Sequence, residues 1–433
     1  MRALLLERLP HRFAAARATT AVLGSGRGVG VGPLRLVEAD PPERPGRGWH
    51  RVRPLLAGIC GSDLATLDGA SSRWFEPIVS FPFVPGHEIV GVVEGGPLDG
   101  RRVVVEPVLG CVARGVEPPC PACGAGRKGA CERIAFGHLR PGLQTGYCAD
   151  TGGGWSEGLV AHESQLHTVP EELSDEAAVM IEPAACALHA ALRARVAPGE
   201  RVAVLGAGTL GLCTTAALRQ LVLPSSLLVT AKHAVQRRLA AELGADLVVE
   251  PAELARAVRR TTGSLAITRN GGAIERLTGG ADVVVDCVGS AGSLADALAV
   301  ARPGGRIVLA GMPGHVRVDL TPLWQREVSL AGAYAYGVEE RPEGMRSTFE
   351  LARDLVGTAG LGRLVSARYP LTRHEEAVRH AAEAGHRGAV KVVFDLRRRP
   401  GRPPAAEAAA GRSTGDAALE AAGRAAVDER APS

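Results

Sequence analysis

The run Val202-Ala-Val-Leu-Gly206-Ala-Gly208-Thr-Leu-Gly211 decides the fold. Its apolar start, too short for a helix and closed by glycine, reads as a buried strand. The apolar-rich residues 210–223 read as the helix that follows. Gly206 suits the tight turn between them, Gly208 leaves room for a phosphate beside the backbone, and Gly211 lets helix and sheet approach closely. A pyrophosphate would then lie at the helix N-terminus, where free amide N–H groups point outward. Thr209 and Leu210, which open that helix, complete this set of candidate cofactor contacts.

Outward from this run, strands are expected at 227–230, 246–249, 281–286, 306–310 and 328–333. Helices are expected at 175–192, 234–243, 293–301 and 345–355, and a last strand at 390–394. Strands alternating with helices of this length imply right-handed crossovers and a parallel sheet, the doubly wound α/β class. Residues 251–280, less regular and carrying Arg259, Arg260 and Arg269, read as a solvated excursion. The first half is rich in Gly, Pro and Val, which predicts short strands and tight turns rather than long helices. From 397 to 433 large apolar residues almost vanish, so a disordered tail is expected there.

The chain has 433 residues, enough for two to three domains, and a net charge of +4, too weak to imply nucleic-acid binding. No window reaches the ~18 apolar residues of a membrane span, and Glu7, Arg8 and Pro10 break the apolar start before a signal segment forms. A cytoplasmic protein with no membrane partner is expected. Lysine occurs only at Lys128, Lys232 and Lys391, which makes each lysine more informative than any arginine.

The end of the second strand bears on the choice of nicotinamide cofactor, because a carboxylate about 20 residues past the glycines would bind the ribose 2′-hydroxyl. None stands there: Thr230 and Ala231 lead into Lys232 and His233, with Arg237 and Arg238 one turn on. A cation at that place pairs with a 2′-phosphate, so NADP is predicted over NAD, with Lys232 as the principal contact and Arg237 beside it.

Nine cysteines are too few and too clustered for a secreted disulfide framework. Cys111, Cys120, Cys123 and Cys131 fall in one glycine-rich loop and suit a closed, structural, all-thiolate zinc site. Upstream, Cys60, with Ser62 and Asp63 close behind, and the pair His87-Glu88 offer ligands for a second zinc with an open position, as a catalytic site requires.

Together these motifs resemble the zinc-dependent medium-chain dehydrogenase/reductase family, the relatives of alcohol, polyol, threonine and glucose dehydrogenases. The resemblance spans residues 1–396 and rests on Ala-Gly-Ile-Cys60-Gly-Ser-Asp63, Pro-Gly86-His87-Glu88, the cysteine lobe, Ile181-Glu182-Pro183, the glycine run, Asp286-Cys-Val-Gly289 and Pro303-Gly-Gly-Arg306. It implies a GroES-like catalytic domain at 1–183 with a zinc lobe near 110–132, a Rossmann domain at 184–332, and a return to the catalytic domain at 333–396. It implies cofactor contacts at Val288 and Gly289, and Cys60 and His87 as catalytic zinc ligands, with Glu88 or Glu182 in the remaining place and Cys186 a third candidate. Asp63 would steady the His87 ring and Ser62 would accept the substrate proton. The implied reaction moves a hydride between an alcohol or polyol carbon and NADP(H), a zinc-stabilised alkoxide giving it up, with two zinc ions per chain and a homodimer or homotetramer as the assembly.

Three departures matter, the least of them Gly95-Gly96-Pro97 after His87-Glu88, an altered turn that removes no zinc ligand. Ala65 stands where the family often has the histidine that ends a proton relay, and Glu117 stands where its spacing puts the first lobe cysteine, leaving Cys111 or Glu117 as fourth ligand. Two other functions are weighed: a zinc-independent enoyl or quinone reductase of the same fold, and a non-catalytic NADPH-binding redox sensor. Trp74, Phe75, Phe81 and Trp155 are candidates for lining a substrate cleft or for ordinary core.

Overall fold

A computed structural model describes residues 1–268 and 274–397. The tail expected at 397–433 lies outside the described residues except for Arg397, and Arg269 lies outside them as well.

The strand Arg201–Leu205 sits inside a six-stranded sheet in the order Leu247–Val249, Ser226–Thr230, Arg201–Leu205, Ala281–Asp286, Ala301–Leu309, Ser329–Gly332, and every pairing is parallel. Counted along the chain this order is 3-2-1-4-5-6, the doubly wound Rossmann arrangement, in which ligands bind beyond the C-terminal strand ends where the order reverses. The central strands are buried on both faces and correspondingly rich in valine: Val204, Val229, Val283, Val284 and Val285 are wholly enclosed.

A second, seven-stranded and mostly antiparallel sheet runs Val365–Tyr369, Lys391–Asp395, Trp49–Gly58, Ile89–Glu94, Arg102–Val105, Leu166–Thr168, with Leu159–His162 also paired to Trp49–Gly58. The last strand of the described chain therefore lies beside the long strand near its start, Phe394 opposite Ala57. The fold is a GroES-like β domain joined to a Rossmann domain.

Four expectations need correction. Residues 175–192 form two helices, Asp175–Ala178 and Ile181–Arg193, instead of one. Pro183 has no N–H and is tolerated only in a first turn, so a new helix has to start just before it. Residues 251–280 are not merely a solvated excursion: Leu254–Thr262 is a helix burying Leu254, Ala257 and Val258, an i, i+3, i+4 stripe, and Ala266–Thr268 pairs with Ile274–Leu277. The helix expected at 345–355 begins only at Thr348, where the Ser347 hydroxyl accepts the Phe349 N–H, because Gly344–Ser347 is taken up in a hairpin with Val338–Arg341. Finally, the first half does contain a long helix, Pro10–Leu23. Proline at its first position starts it, but its alanines and threonines carry no apolar stripe and only Ala16 is fully buried, so no 3.6-residue period announces it.

Candidate active site and metal centres

A cavity of about 1200 Å³ is lined from both sheets, by Cys60, Ser62, His87 and Glu182 among others and by the glycine-run residues Gly208, Thr209 and Leu210. Cys60 caps the helix Gly61–Leu67, and the Asp63 carboxylate accepts the Cys60 N–H at 2.9 Å, so this short helix fixes both side chains. His87 and Glu88 sit immediately before the strand Ile89–Glu94. Ligand atoms of Cys60, His87 and Glu88 lie within 4.8 Å of one another. His87 is buried, and its Nδ1 approaches Asp63 Oδ1 at 3.4 Å without hydrogen-bond alignment. Burial opposes charging of the imidazole, but Asp63 and Cys60 outweigh it and hold His87 well above the ordinary histidine range.

The sequence singled out Lys391 only as one of three lysines, without a role in the site. Its ammonium, 2% exposed, donates to both Glu88 oxygens at 2.6 and 2.5 Å and to the Ile59 carbonyl at 3.2 Å. Burial pulls this lysine down, and the Glu88 charge more than restores it, so its pKa is raised. A signal was present: a lone lysine within the apolar strand expected at 390–394 has to find a buried partner.

Glu182 stands in the first turn of Ile181–Arg193 and is buried on the cavity wall. Burial pushes its carboxyl up to about 7 against the pull of His87. Cys186, one turn on, donates its thiol to Glu182 Oε1 at 3.6 Å and is not in the compact donor group. Around Ser62 the structure adds hydroxyls the sequence did not point out. Tyr147 OH donates to Asp63 at 3.4 Å, and Thr66 Oγ1 lies 3.4 Å from it and 3.0 Å from Ser71 Oγ. Trp74, Phe75 and Phe81 line the cavity, whereas Trp155 is core, wholly buried with its indole N–H on the Gly58 carbonyl at 3.0 Å.

The cofactor residues cluster as the glycine run predicts. Gly206 has φ +89°, and a Cβ there would meet Val288 at 2.4 Å; a Cβ on Gly211 would lie 1.8 Å from the Gly206 carbonyl. Beside Gly208 there is open space. Thr230 accepts the Gly206 N–H at 2.9 Å, and Asp286 accepts the N–H groups of Val288 and Gly289 at 2.9 and 3.1 Å, so both turns are held from the strand ends. Lys232 is exposed at the end of Ser226–Thr230, while Arg237 is taken up by Glu250 at 2.9 Å.

The cysteine lobe is a separate centre. Cys111, Cys120, Cys123 and Cys131 have their sulfurs within 4.8 Å of one another, and Cys111 and Cys131 are 3.7 Å apart. Tetrahedral Zn–S bonds imply S···S distances of ~3.8 Å, so the group fits a zinc ion. Backbone N–H groups of Cys120, Cys123 and Arg133 donate to these sulfurs, as thiolates require. Glu117 is not in the group. The fully buried Arg114 gathers the loop, donating to the carbonyls of Leu109, Phe136 and Leu139 at 3.0 to 3.3 Å.

Comparison with known proteins agrees with this architecture. Residues 46–171 match the alcohol dehydrogenase GroES-like domain and residues 209–350 the zinc-binding dehydrogenase domain. The chain is 31% identical to a sorbitol dehydrogenase of Arabidopsis thaliana over 386 residues, covering 85% of this chain and 94% of that protein. It is 29% identical to an L-idonate 5-dehydrogenase of Vitis vinifera, covering 84% and 93%. The NADP-bound crystal structure of a Sinorhizobium meliloti protein assigned as a zinc-binding dehydrogenase superposes with a TM-score of 0.62 at 27% identity, covering 84% and 95%. The chain belongs to the zinc-dependent medium-chain dehydrogenase family. It is an NAD(P)-linked oxidoreductase acting on a small alcohol. No described helix is long and apolar enough to cross a membrane.

Proposed function

We propose that this enzyme interconverts a polyol and its carbonyl form with NADP, using a catalytic zinc at Cys60, His87 and one of Glu88 and Glu182, and a structural zinc at Cys111, Cys120, Cys123 and Cys131. The observation that carries the reading is the compact Cys60, His87, Glu88 group opening onto the same cavity as Gly208 and Thr209. The polyol assignment draws on relatives named for sorbitol, L-idonate and D-xylulose. The same reading carries the domain limits 1–183, 184–332 and 333–396.

Bound zinc supplies the positive charge that makes loss of a hydroxyl proton accessible near neutral pH, and NADP supplies the hydride acceptor. Ser62 Oγ accepts the hydroxyl proton as it passes its own proton onward. Tyr147, Thr66 and Ser71 then offer a hydroxyl path in place of the histidine that Ala65 replaces. Asp63 limits the swing of the His87 ring, and Lys391 cancels the Glu88 charge so that the donor group is not overly anionic. Gly206, Gly208, Thr209, Leu210, Gly211, Val288 and Gly289 seat the dinucleotide.

Lys232 favours NADP: it is exposed where the 2′-phosphate belongs, whereas Arg237 is neutralised by Glu250 and contributes less. Nine cysteines with no disulfide between them fit the reducing cytoplasm, and the edge strand Ser329–Gly332, with Leu330 exposed, supports a homodimer or homotetramer paired through that edge. The test is zinc content per chain together with polyol turnover, for wild type and Cys60→Ala. Two zinc ions falling to one with loss of turnover is expected; one zinc, unaffected by the substitution, overturns the reading. Lys232→Ala should raise KM for NADP about tenfold and leave that for NAD in place.

A further inference from the structure

The unexpected Pro10–Leu23 helix closes one wall of the active-site cavity, which Arg8, Pro10, Phe13 and Arg17 line. It is firmly docked. Asp68, buried at the end of the Gly61–Leu67 helix, accepts hydrogen bonds from Thr20 Oγ1 at 3.0 Å, Ser25 Oγ at 2.5 Å and the Gly26 N–H at 3.0 Å. A Cβ placed on Gly69 would meet the Phe13 carbonyl at 3.0 Å and the Arg17 stem at 3.4 Å, so the helix rests on the backbone that carries Ser62 and Asp63. The wall is therefore part of the site and keeps its side chains in place.

Its charge is unbalanced. Arg73 and Glu76, which line the same region, pair with each other at 3.1 Å, and Glu7 is taken up by Arg35 at 3.5 Å. Arg8 and Arg17 are both exposed and have neither an ion pair nor a side-chain hydrogen bond among the described residues. Glu7 and Glu76 stand beside Arg8 but are already paired with those other arginines, and the remaining neighbours Phe13, Trp74, Phe75, Val79 and Phe81 are apolar. The cofactor does not need them: its phosphates belong at the glycine run and Lys232, on the parallel sheet. Two unpaired guanidinium groups over an apolar wall suit one kind of ligand, an oxyanion that accepts paired N–H bonds.

We propose that the substrate is a polyol bearing a carboxylate or a phosphate at the end remote from the reacting carbon, and that Arg8 and Arg17 select it. This rests on the polyol reading above and sharpens it. The cavity runs from Gly208 and Thr209 past Cys60 and His87 to Arg8 and Arg17, so a group at the remote end of the substrate can reach this wall.

The test compares kcat/KM of the zinc- and NADP-loaded full chain for a neutral hexitol, a hexitol phosphate and an aldonate, in wild type, Arg8→Gln/Arg17→Gln and Arg17→Lys. Wild type should prefer one of the anionic substrates over the neutral hexitol by tenfold or more, and the double substitution should reduce that ratio by about tenfold. Arg17→Lys should keep part of it, and raising salt should erode it. The aldonate and phosphate arms tell which anion is used. A wild type that handles the neutral hexitol as well as both anions, or a ratio unmoved by the double substitution, overturns the selection while leaving the polyol reading intact. Turnover of none of the three overturns both.

Discussion

Two clusters of cysteine-containing ligands lie in this chain, and they differ in what surrounds them. The lobe holds four sulfurs, three of them on buried cysteines, fed by backbone N–H groups and enclosed by a loop that Arg114 gathers from within. The second group mixes a thiol, an imidazole and a carboxylate at the floor of a cavity of about 1200 Å³, with a buried ammonium balancing the carboxylate. Four like donors with no opening suit a metal that holds the loop together. Three unlike donors beside open space leave room for a fourth, exchangeable partner, which is what chemistry requires.

The sharpest way to break this contrast is Cys60→Ala, which should lower kcat/KM by on the order of 10³-fold. It should leave thermal stability nearly unchanged, as read by steady-state kinetics beside a melting curve. Cys120→Ala should do the reverse: Tm falling on the order of 10 °C as the lobe zinc is lost, with turnover at low temperature falling only modestly. If Cys120→Ala abolished turnover in a folded protein, the lobe would not be merely structural.

A smaller effect tests the charge balance. Lys391→Met leaves the Glu88 carboxylate buried without its partner and should destabilise by about 3–5 kcal/mol in denaturant unfolding, with Glu88→Gln added on top recovering much of the loss. An isolated Lys391→Met without cost would mean that water reaches Glu88. The smallest effect concerns how the lobe is tied to the antiparallel sheet. Glu106 is buried and takes bonds from Lys128 of the lobe at 3.0 Å and from His167 at 2.8 Å. Burial raises its pKa, but His167 and Lys128 prevail and the carboxyl is lowered. A lowered carboxyl stabilises the fold above its unfolded value and loses that stabilisation as pH falls through the folded one. Glu106→Gln should therefore destabilise by about 1–2 kcal/mol at pH 7 and flatten the decline in stability between pH 5 and 3.

Much of this was legible in the chain because it is local. The glycine run announces its own turn, and Gly206 and Gly211 sit where a side chain would strike Val288 or the backbone. The clustered cysteines announce the lobe, and the motifs around Cys60 and His87 announce the open group. What escaped is what depends on distant partners. Lys391 matters through Glu88, 303 positions earlier, and Tyr147 through Asp63, 84 positions earlier. The Pro10–Leu23 helix escaped for a different reason: its docking comes from Asp68 and polar groups, not from an apolar stripe. Residues 251–280 misled because arginines on the outer face of Leu254–Thr262 hid the three apolar residues on the inner one.

The pairing of Lys391–Asp395 with Trp49–Gly58 also has a meaning in time. A ribosome has finished the whole parallel sheet, through Ser329–Gly332, well before residue 391 leaves the exit tunnel, so that half can fold while the other still lacks an interior strand. Until the late strand arrives, Glu88 faces a gap where its cation should be. A nascent chain stalled short of residue 391 would lack both that interior strand and the ammonium that Glu88 pairs with.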